Sequence, residues 1–325
     1  GVFHLAENSF EIEEAYFKTR SLPYNLSVKG GKFYSDFGRL NKQHHHEWNF
    51  ADAPLIYRSI FGEHNLLEKG VQLTWLAPTP FYLMTGFEVL QGDNENNFNR
   101  EGFELKRKWG DPDSETIKID DTKKPNLYVF FIKPSFDIGN TSVLAGLSYA
   151  QGKTRINHLE DEEPHALTGD TKIYGLDLTI RHTLDSYRYL LLQSEYIYRK
   201  FDGTKYYYDE NNELKTPKLG KKQGGFYVEG IFKFDQRWRA GLRYDLINKN
   251  DILVNGVKNR RIPDNLYRYS VMIDFLPSEF SRIRLQYNYD KSLFTGKPGS
   301  FQRKPNHEVI LQLNFAIGPH GAHGF

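Results

Sequence analysis

Apolar and polar residues alternate along much of this chain, most clearly between residues 224 and 248. In the first half of that segment Phe226, Val228 and Phe232 share one face, while Glu229 and Lys233 lie on the other. Successive side chains of a strand point to opposite faces, so the segment predicts a hairpin with one apolar and one charged face. Aromatic residues stand at the ends of the apolar rows, as in strands that cross a bilayer. A soluble sheet with one wet face gives the same alternation, so recurrence has to decide.

The pattern recurs as six predicted hairpins and a final strand. Short and long connections alternate between these strands, which is typical of an outer-membrane barrel with short periplasmic turns and long outer loops. A β-propeller built from the same repeat would need four strands in each blade, and only two are found. The predicted strands cover residues 10–19, 26–34, 68–77, 81–90, 126–136, 141–150, 172–183, 189–199, the two halves of 224–248, 266–276, 282–289 and 308–317.

This count gives thirteen strands, whereas bacterial single-chain barrels use even numbers. Residues 1–9 are expected to supply one more strand, which predicts an all-β, antiparallel up-and-down transmembrane barrel of about 14 strands. The number would be 16 if further strands precede the sequence. We expect residues 1–325 to form this single barrel, in the bacterial outer membrane.

The first long loop is predicted at residues 35–66. A barrel of ~14 strands is wider than its own side chains can fill, since ~8 strands are already filled. We therefore expect a water-filled lumen that this loop narrows by folding inward.

Composition removes several classes of function. No run approaches the ~18 apolar residues of a membrane helix. The 43 basic and 41 acidic residues leave a net charge of +2, which is no footprint for nucleic acid. The chain has no cysteine, which removes any disulfide framework and any thiolate metal site. It begins at Gly1 without Met, so we interpret it as a processed or trimmed product whose signal peptide is not shown. No nucleotide-binding or hydrolase motif is found, so we expect no enzyme and no cofactor.

If the apolar rows face lipid, the opposite rows face the lumen and carry charges of both signs. Such rings of charge set ion preference in pores. Four arginines, at positions 239, 243, 282 and 284, could form a basic ladder, or they could pair with acidic residues on neighbouring strands. The predicted pore-lining residues are Arg181, Glu195, Glu229, Lys233, Arg239, Arg243, Asp245, Arg268, Asp274, Arg282 and Arg284.

Three consecutive histidines, His44, His45 and His46, are the candidate metal ligands. Neutral imidazole binds zinc or nickel well, but a site needs ligands that converge on one point. Adjacent positions on a loop do not ensure convergence, and a solvated polar loop gives the same sequence.

Several segments resemble a known family. Residues 13–33, 37–41, 44–58 and 69–95, with the ending GPHGAHGF, are similar to Gram-negative outer-membrane proteins related to the phosphate-selective porins O and P. Some members carry the label zinc-regulated TonB-dependent outer membrane receptor. The resemblance implies a barrel channel whose first long loop is built from residues 36–66.

The sequence thus predicts an outer-membrane porin for passive diffusion of small hydrophilic solutes or ions. The alternative is a zinc-uptake receptor that uses the three histidines. The expected partners are outer-membrane lipid and lipopolysaccharide together with the solutes, no nucleic acid, and further copies of the chain in a homotrimer.

Overall fold

A computed structural model describes residues 2–6, 9–20, 22–62, 64–106, 116–159, 164–258, 263, 265–295 and 302–315. The last two residues of the predicted strand 308–317 and the ending GPHGAHGF lie outside this part of the chain. The described residues form twenty antiparallel strands: β1 Val2–Ala6, β2 Ser9–Lys18, β3 Leu26–Tyr34, β4 Leu67–Leu76, β5 Tyr82–Leu90, β6 Phe103–Lys106, β7 Thr116–Ile119, β8 Leu127–Ile138, β9 Thr141–His158, β10 His165–Thr183, β11 Tyr189–Tyr208, β12 Leu214–Lys215, β13 Lys218–Lys233, β14 Trp238–Val254, β15 Val257–Lys258, β16 Leu266–Ser278, β17 Ser281–Asp290, β18 Phe294–Thr295, β19 Gln302–Arg303 and β20 Asn306–Phe315.

In the described part of the chain, helical structure is confined to short pieces. Helix α1 spans Leu55–Phe61, and two 3-10 turns span Pro23–Asn25 and His45–Glu47. Among the described residues no helix has the length and apolar character needed to cross a membrane.

One large sheet dominates the structure. Fourteen strands follow one another in the order β1-β2-β3-β4-β5-β8-β9-β10-β11-β13-β14-β16-β17-β20, and β12 and β15 pair at its rim. Val2–Ala6 supplies the strand that was missing from the sequence count, pairing antiparallel with β2. The prediction of an antiparallel barrel of about 14 strands is confirmed.

The two ends of this strand path are bridged by residues 44–46. His44 reaches β2, where its Nε2 lies 3.0 Å from a carboxylate oxygen of Glu14. Two residues later, the carbonyl oxygen of His46 accepts a hydrogen bond from Arg282 on β17, and it also lies beside Asn314 on β20. One short segment, residues 44–46, thus contacts β2 near one end of the strand path and β17 and β20 at the other, so the sheet curves round to bring these strands to the same segment.

The outer surface of the sheet is an apolar belt. Leu176, Leu242 and Leu285 on β10, β14 and β17 are 55%, 64% and 51% exposed. Large apolar side chains are rarely exposed in such a continuous band unless another apolar phase covers them, and a bilayer is that phase for a barrel. The parity that places these residues outside is the one that the alternation predicts.

Five strands are much longer than the sequence predicts. Predicted segments ended at Ala150 and Arg199 and began at Lys172, whereas β9 and β11 continue to His158 and Tyr208 and β10 begins at His165. Strands β13 and β14 extend in the same way. These extensions are polar on their outer face, because they stand beyond the lipid, and an apolar alternation therefore cannot reveal them. The predicted polar loop after β5 likewise contains the β6–β7 hairpin.

Candidate functional site: the filled lumen

Residues 35–66 lie inside the curved sheet and contact its inner wall on all sides. The segment leaves β3 at Ser35, whose hydroxyl donates to Glu88 Oε2 on β5 at 2.5 Å. The backbone N–H of Asp36 donates to the other oxygen of Glu88 at 2.9 Å. Asn41 then ties the two ends of the segment together, since its amide donates to the carbonyl oxygens of Ser35 and Leu66. We call residues 35–66 the inner loop.

Glu195, on the inner face of β11, is the first major anchor of the inner loop. Its carboxylate accepts hydrogen bonds from the backbone N–H groups of Arg39 and Leu40, at 2.8 and 2.9 Å. It also accepts from the hydroxyls of Tyr57 in α1, at 2.9 Å, and Tyr227 on β13, at 2.7 Å. Four donors thus satisfy one buried carboxylate, as a buried charge requires.

Gly38 makes this approach sterically feasible. Its φ of +64° lies in the left-handed region, which residues with a Cβ rarely adopt. A Cβ atom there would also come within 2.8 Å of the Tyr57 hydroxyl and would collide with Glu195. A larger residue at this position would push the inner loop away from β11.

Asp52 is the second major anchor, further along the same wall on β14, β16 and β17. Its two carboxylate oxygens accept from Arg243 at 2.8 Å and from Arg268 at 2.6 Å. Gln286 and Asn288 on β17 donate to the same carboxylate at 2.7 and 3.1 Å. Burial alone would raise the pKa of Asp52, but the two guanidinium groups hold that pKa below its usual range.

The backbone around Asp52 is held by the same cluster. Arg243 donates to the Asp52 carbonyl oxygen and Arg268 to that of Ala53, at 2.8 and 2.7 Å. The N–H of Leu55, at the start of α1, donates to Asp245 at 3.0 Å. The same carboxylate lies 3.0 Å from Arg243 and 3.3 Å from Arg268. Side chains and main chain together fix this turn of the inner loop.

The remaining predicted lumen arginines have distinct partners. Asp274 on β16 accepts from Arg239 at 2.7 Å and from Arg284 at 2.8 Å. Arg282 instead donates to backbone carbonyl oxygens of the inner loop, those of His46 at 2.7 Å and Trp48 at 3.3 Å. The arginines are therefore cross-strand ion pairs and loop contacts, not an unpartnered ladder.

Three predicted residues remain. Glu229 accepts from the Asn49 amide of the inner loop at 2.7 Å. Arg181 stacks its guanidinium over the Tyr189 ring at 4.5 Å, and Lys233 is half-buried near the short-turn end of β13. All eleven predicted residues lie on the inner-face parity of their strands, and eight of them lie within the two anchors, the Asp274 pairs or the Asn49 contact.

An apolar core inside the barrel was not foreseen. Helix α1 buries Leu55, Ile56, Tyr57, Ile60 and Phe61. These side chains join one cluster with wall residues that share the inner parity with the charges, namely Ile173, Ile197, Tyr227 and Ile247. The contact between α1 and the wall has one signal in the sequence. On each of several adjacent strands, a single apolar residue interrupts the charged inner face.

The three histidines diverge. His44 is held between Glu13 and Glu14, with its two ring nitrogens 3.5 and 3.0 Å from their carboxylates. His45 packs against Trp48, and His46 stacks on His44 with ring centroids 5.5 Å apart. Within the described part of the chain no group of three or more histidine, aspartate or glutamate side chains is placed to hold a metal ion. This geometry gives zinc uptake no supporting observation.

No family model matches the chain. An uncharacterized protein of Aquifex aeolicus is 53% identical over 321 residues, which are 98% of this chain and 64% of that protein. The chain therefore spans less than two thirds of its relative's length.

Among solved structures, the fold is similar to OmpT, an outer membrane protein of Vibrio cholerae. The in-vitro folded trimer form gives a TM-score of 0.53 at 13% identity, covering 95% of this chain and 82% of that chain. The outer-membrane expressed form gives 0.53 at 13% identity, covering 94% and 82%. The fold is thus that of outer-membrane β-barrel proteins, and the apolar belt places the chain in that membrane.

Proposed function

We propose that this chain is an outer-membrane channel through which small hydrophilic solutes or ions diffuse, and that the inner loop sets its width. One observation carries the proposal. The inner wall of this 14-strand path carries charges of both signs, and a separate segment, the inner loop, occupies the space inside it through polar contacts and the apolar face of α1. A pore for passive diffusion of hydrophilic solutes requires a polar, charged inner wall of this kind. The width of the pore then depends on the position of the inner loop.

The contacts of the inner loop favour a narrow resting state. Loop carboxylate and wall guanidinium groups touch directly at Asp52, with no gap between them for a solute. We therefore expect a small conductance from the wild-type protein. We further propose kinship with the phosphate-selective porin O and P group, supported by the resembling segments, and a homotrimer, supported by the trimer form of the Vibrio cholerae neighbour.

The test is single-channel recording of purified, folded protein in planar bilayers. The expected result is discrete, small steps in potassium chloride, absent from a heat-denatured sample of the same preparation. Replacing chloride by phosphate then tests the proposed kinship through the shift in reversal potential. A folded protein that inserts and never conducts, with or without a loosened inner loop, would overturn the channel.

A further inference from the structure

Tyrosines mark the upper edge of the apolar belt, on the side of the long loops. Tyr149, Tyr174 and Tyr198 are register partners on β9, β10 and β11, and their ring centroids lie 5.1 and 6.3 Å apart. Tryptophans occupy the opposite, short-turn edge at Trp75 and Trp238. Aromatic rings concentrate where hydrocarbon meets headgroups, so the tyrosine row marks one membrane interface.

A row of lysines stands one step beyond the tyrosines. Lys172 pairs in register with Lys200, and Lys200 with Lys222, on the adjacent strands β10, β11 and β13. Lys172 and Lys200 each lie two residues further along the strand than its tyrosine, so all three lysines project from the same outer face. Two residues advance a strand by roughly 6–7 Å, which brings the ammonium groups to headgroup level.

Like charges directly opposite each other on neighbouring strands are destabilising. Lys200 has a neighbour of opposite charge, Asp202, at 2.8 Å. Lys172 and Lys222 make no ion pair with any described residue; Lys222 faces Asp251 in register on β14, but that carboxylate pairs with Lys249 and Lys258 instead. Their charges accumulate within roughly 10 Å, twice the spacing of adjacent strands. Such an arrangement calls for an anion from outside the chain.

We propose that Lys172, Lys200 and Lys222 bind the phosphate groups of a glycolipid of the outer leaflet, lipopolysaccharide in a Gram-negative membrane. The short turns of such barrels face the periplasm, so the tyrosine edge lies in the outer leaflet. An ammonium group binds phosphate as a point charge, and clustered lysines beside a membrane attract anionic headgroups. The site faces lipid and is separate from the lumen.

The test is binding of a diphosphorylated lipid A to the full chain in detergent, measured by native mass spectrometry and by titration. Each lysine near a membrane surface contributes about 1 kcal/mol, so the triple variant K172Q/K200Q/K222Q is expected to bind on the order of 100-fold more weakly at low salt. The matched control K205Q/K221Q changes two lysines of β11 and β13 that point inward. It is expected to bind like the wild type.

Two further arms identify the ligand. Wild type and triple variant are expected to bind lipid A without its phosphates with equal affinity. Inorganic phosphate, at equal phosphate concentration, is expected not to compete with diphosphorylated lipid A for binding to the wild type. Competition by inorganic phosphate would instead show a site for free anions and would reject the assignment of a lipid ligand. Equal binding by the triple variant and the control would also overturn the proposal. If the triple variant misfolds, the single variants K172Q and K222Q decide, each with an expected loss of about fivefold.

Discussion

Single residues decide where the inner loop sits, and Asp52 is the one with the most partners. It is a carboxylate held by two guanidinium groups and two amides. Removing one member of such a buried set leaves the other charges uncompensated, which typically costs 3–5 kcal/mol. The alternation identified the arginines as inward-facing but gave no sign of Asp52, because pairing across a lumen joins residues about 190 and 216 positions apart.

The depressed pKa of Asp52 predicts an acid-induced opening. A carboxyl whose folded pKa lies below its unfolded value of about 3.9 stabilises the seated loop fully above that value. The stabilisation is lost as pH falls through the lower, folded pKa. Single-channel conductance should therefore stay constant from neutral pH down to about pH 4 and rise below it.

The variant D52N is the control for that measurement. It is expected to show the larger conductance already at neutral pH, with a much smaller acid step, because the titrating charge is gone. D290N changes an inward-facing aspartate that contacts Ser292 rather than the inner loop, and it should behave as wild type. An acid step of unchanged size in D52N would show that another group controls the loop.

At the scale of elements, α1 explains why the lumen is not filled with water alone. Its apolar side chains meet Ile197, Tyr227 and Ile247 across a dry contact. The segment was predicted as a polar loop because it is rich in Gly, His, Asn and Asp, and seven helical residues are too few for a periodicity to stand out. Strand positions were predicted within a few residues wherever lipid enforces the alternation, and they failed where strands leave the bilayer.

Breaking the contact of α1 should release the loop without disturbing the barrel. Ile60 is fully buried in this cluster, so I60D should cost more than the ~2–5 kcal/mol of truncating a buried isoleucine. We expect a larger conductance together with an unchanged β-sheet circular dichroism spectrum.

R58D on the same helix is the matched control, since Arg58 is exposed. A surface change of this kind usually stays within ~0.5 kcal/mol, so its conductance should match the wild type. Equal effects of I60D and R58D would mean that the helix is not what seats the loop.

At the scale of the whole molecule, the membrane-crossing part of the barrel could be predicted nearly completely, and its filling could not. Two-residue periodicity and the alternation of short and long connections fixed the architecture, because every bilayer-crossing strand obeys both. The filling depends on which inner side chains meet which loop residues. Three wall residues show why this could not be predicted. Leu191, Ile231 and Met272 lie on the same inner face as the charges, yet they form an apolar cluster with Phe50 of the inner loop.

The proposed homotrimer is a prediction at this scale. A chain of 38.0 kDa should give a protein mass near three times that value in mild detergent, measured by light scattering with the detergent contribution subtracted. Electrophoresis in dodecyl sulfate of heated and unheated samples distinguishes loss of the trimer from unfolding of the barrel, because each changes the electrophoretic mobility separately. A folded protein with the mass of one chain at every concentration tested would reject the trimer.

The unequal height of the wall has a consequence for access. Strands β9, β10 and β11 rise about ten residues past the tyrosine row, roughly 30 Å of strand, and β13 and β14 rise about half as far, whereas β16 begins beside the row at Leu266. The wall of strands around the mouth is therefore higher at β9, β10 and β11 than at β16. Because the extensions of β9, β10 and β11 stand beyond the lipid, large particles that dock on this flank of the mouth contact these extensions, and substitutions that alter such docking should map there.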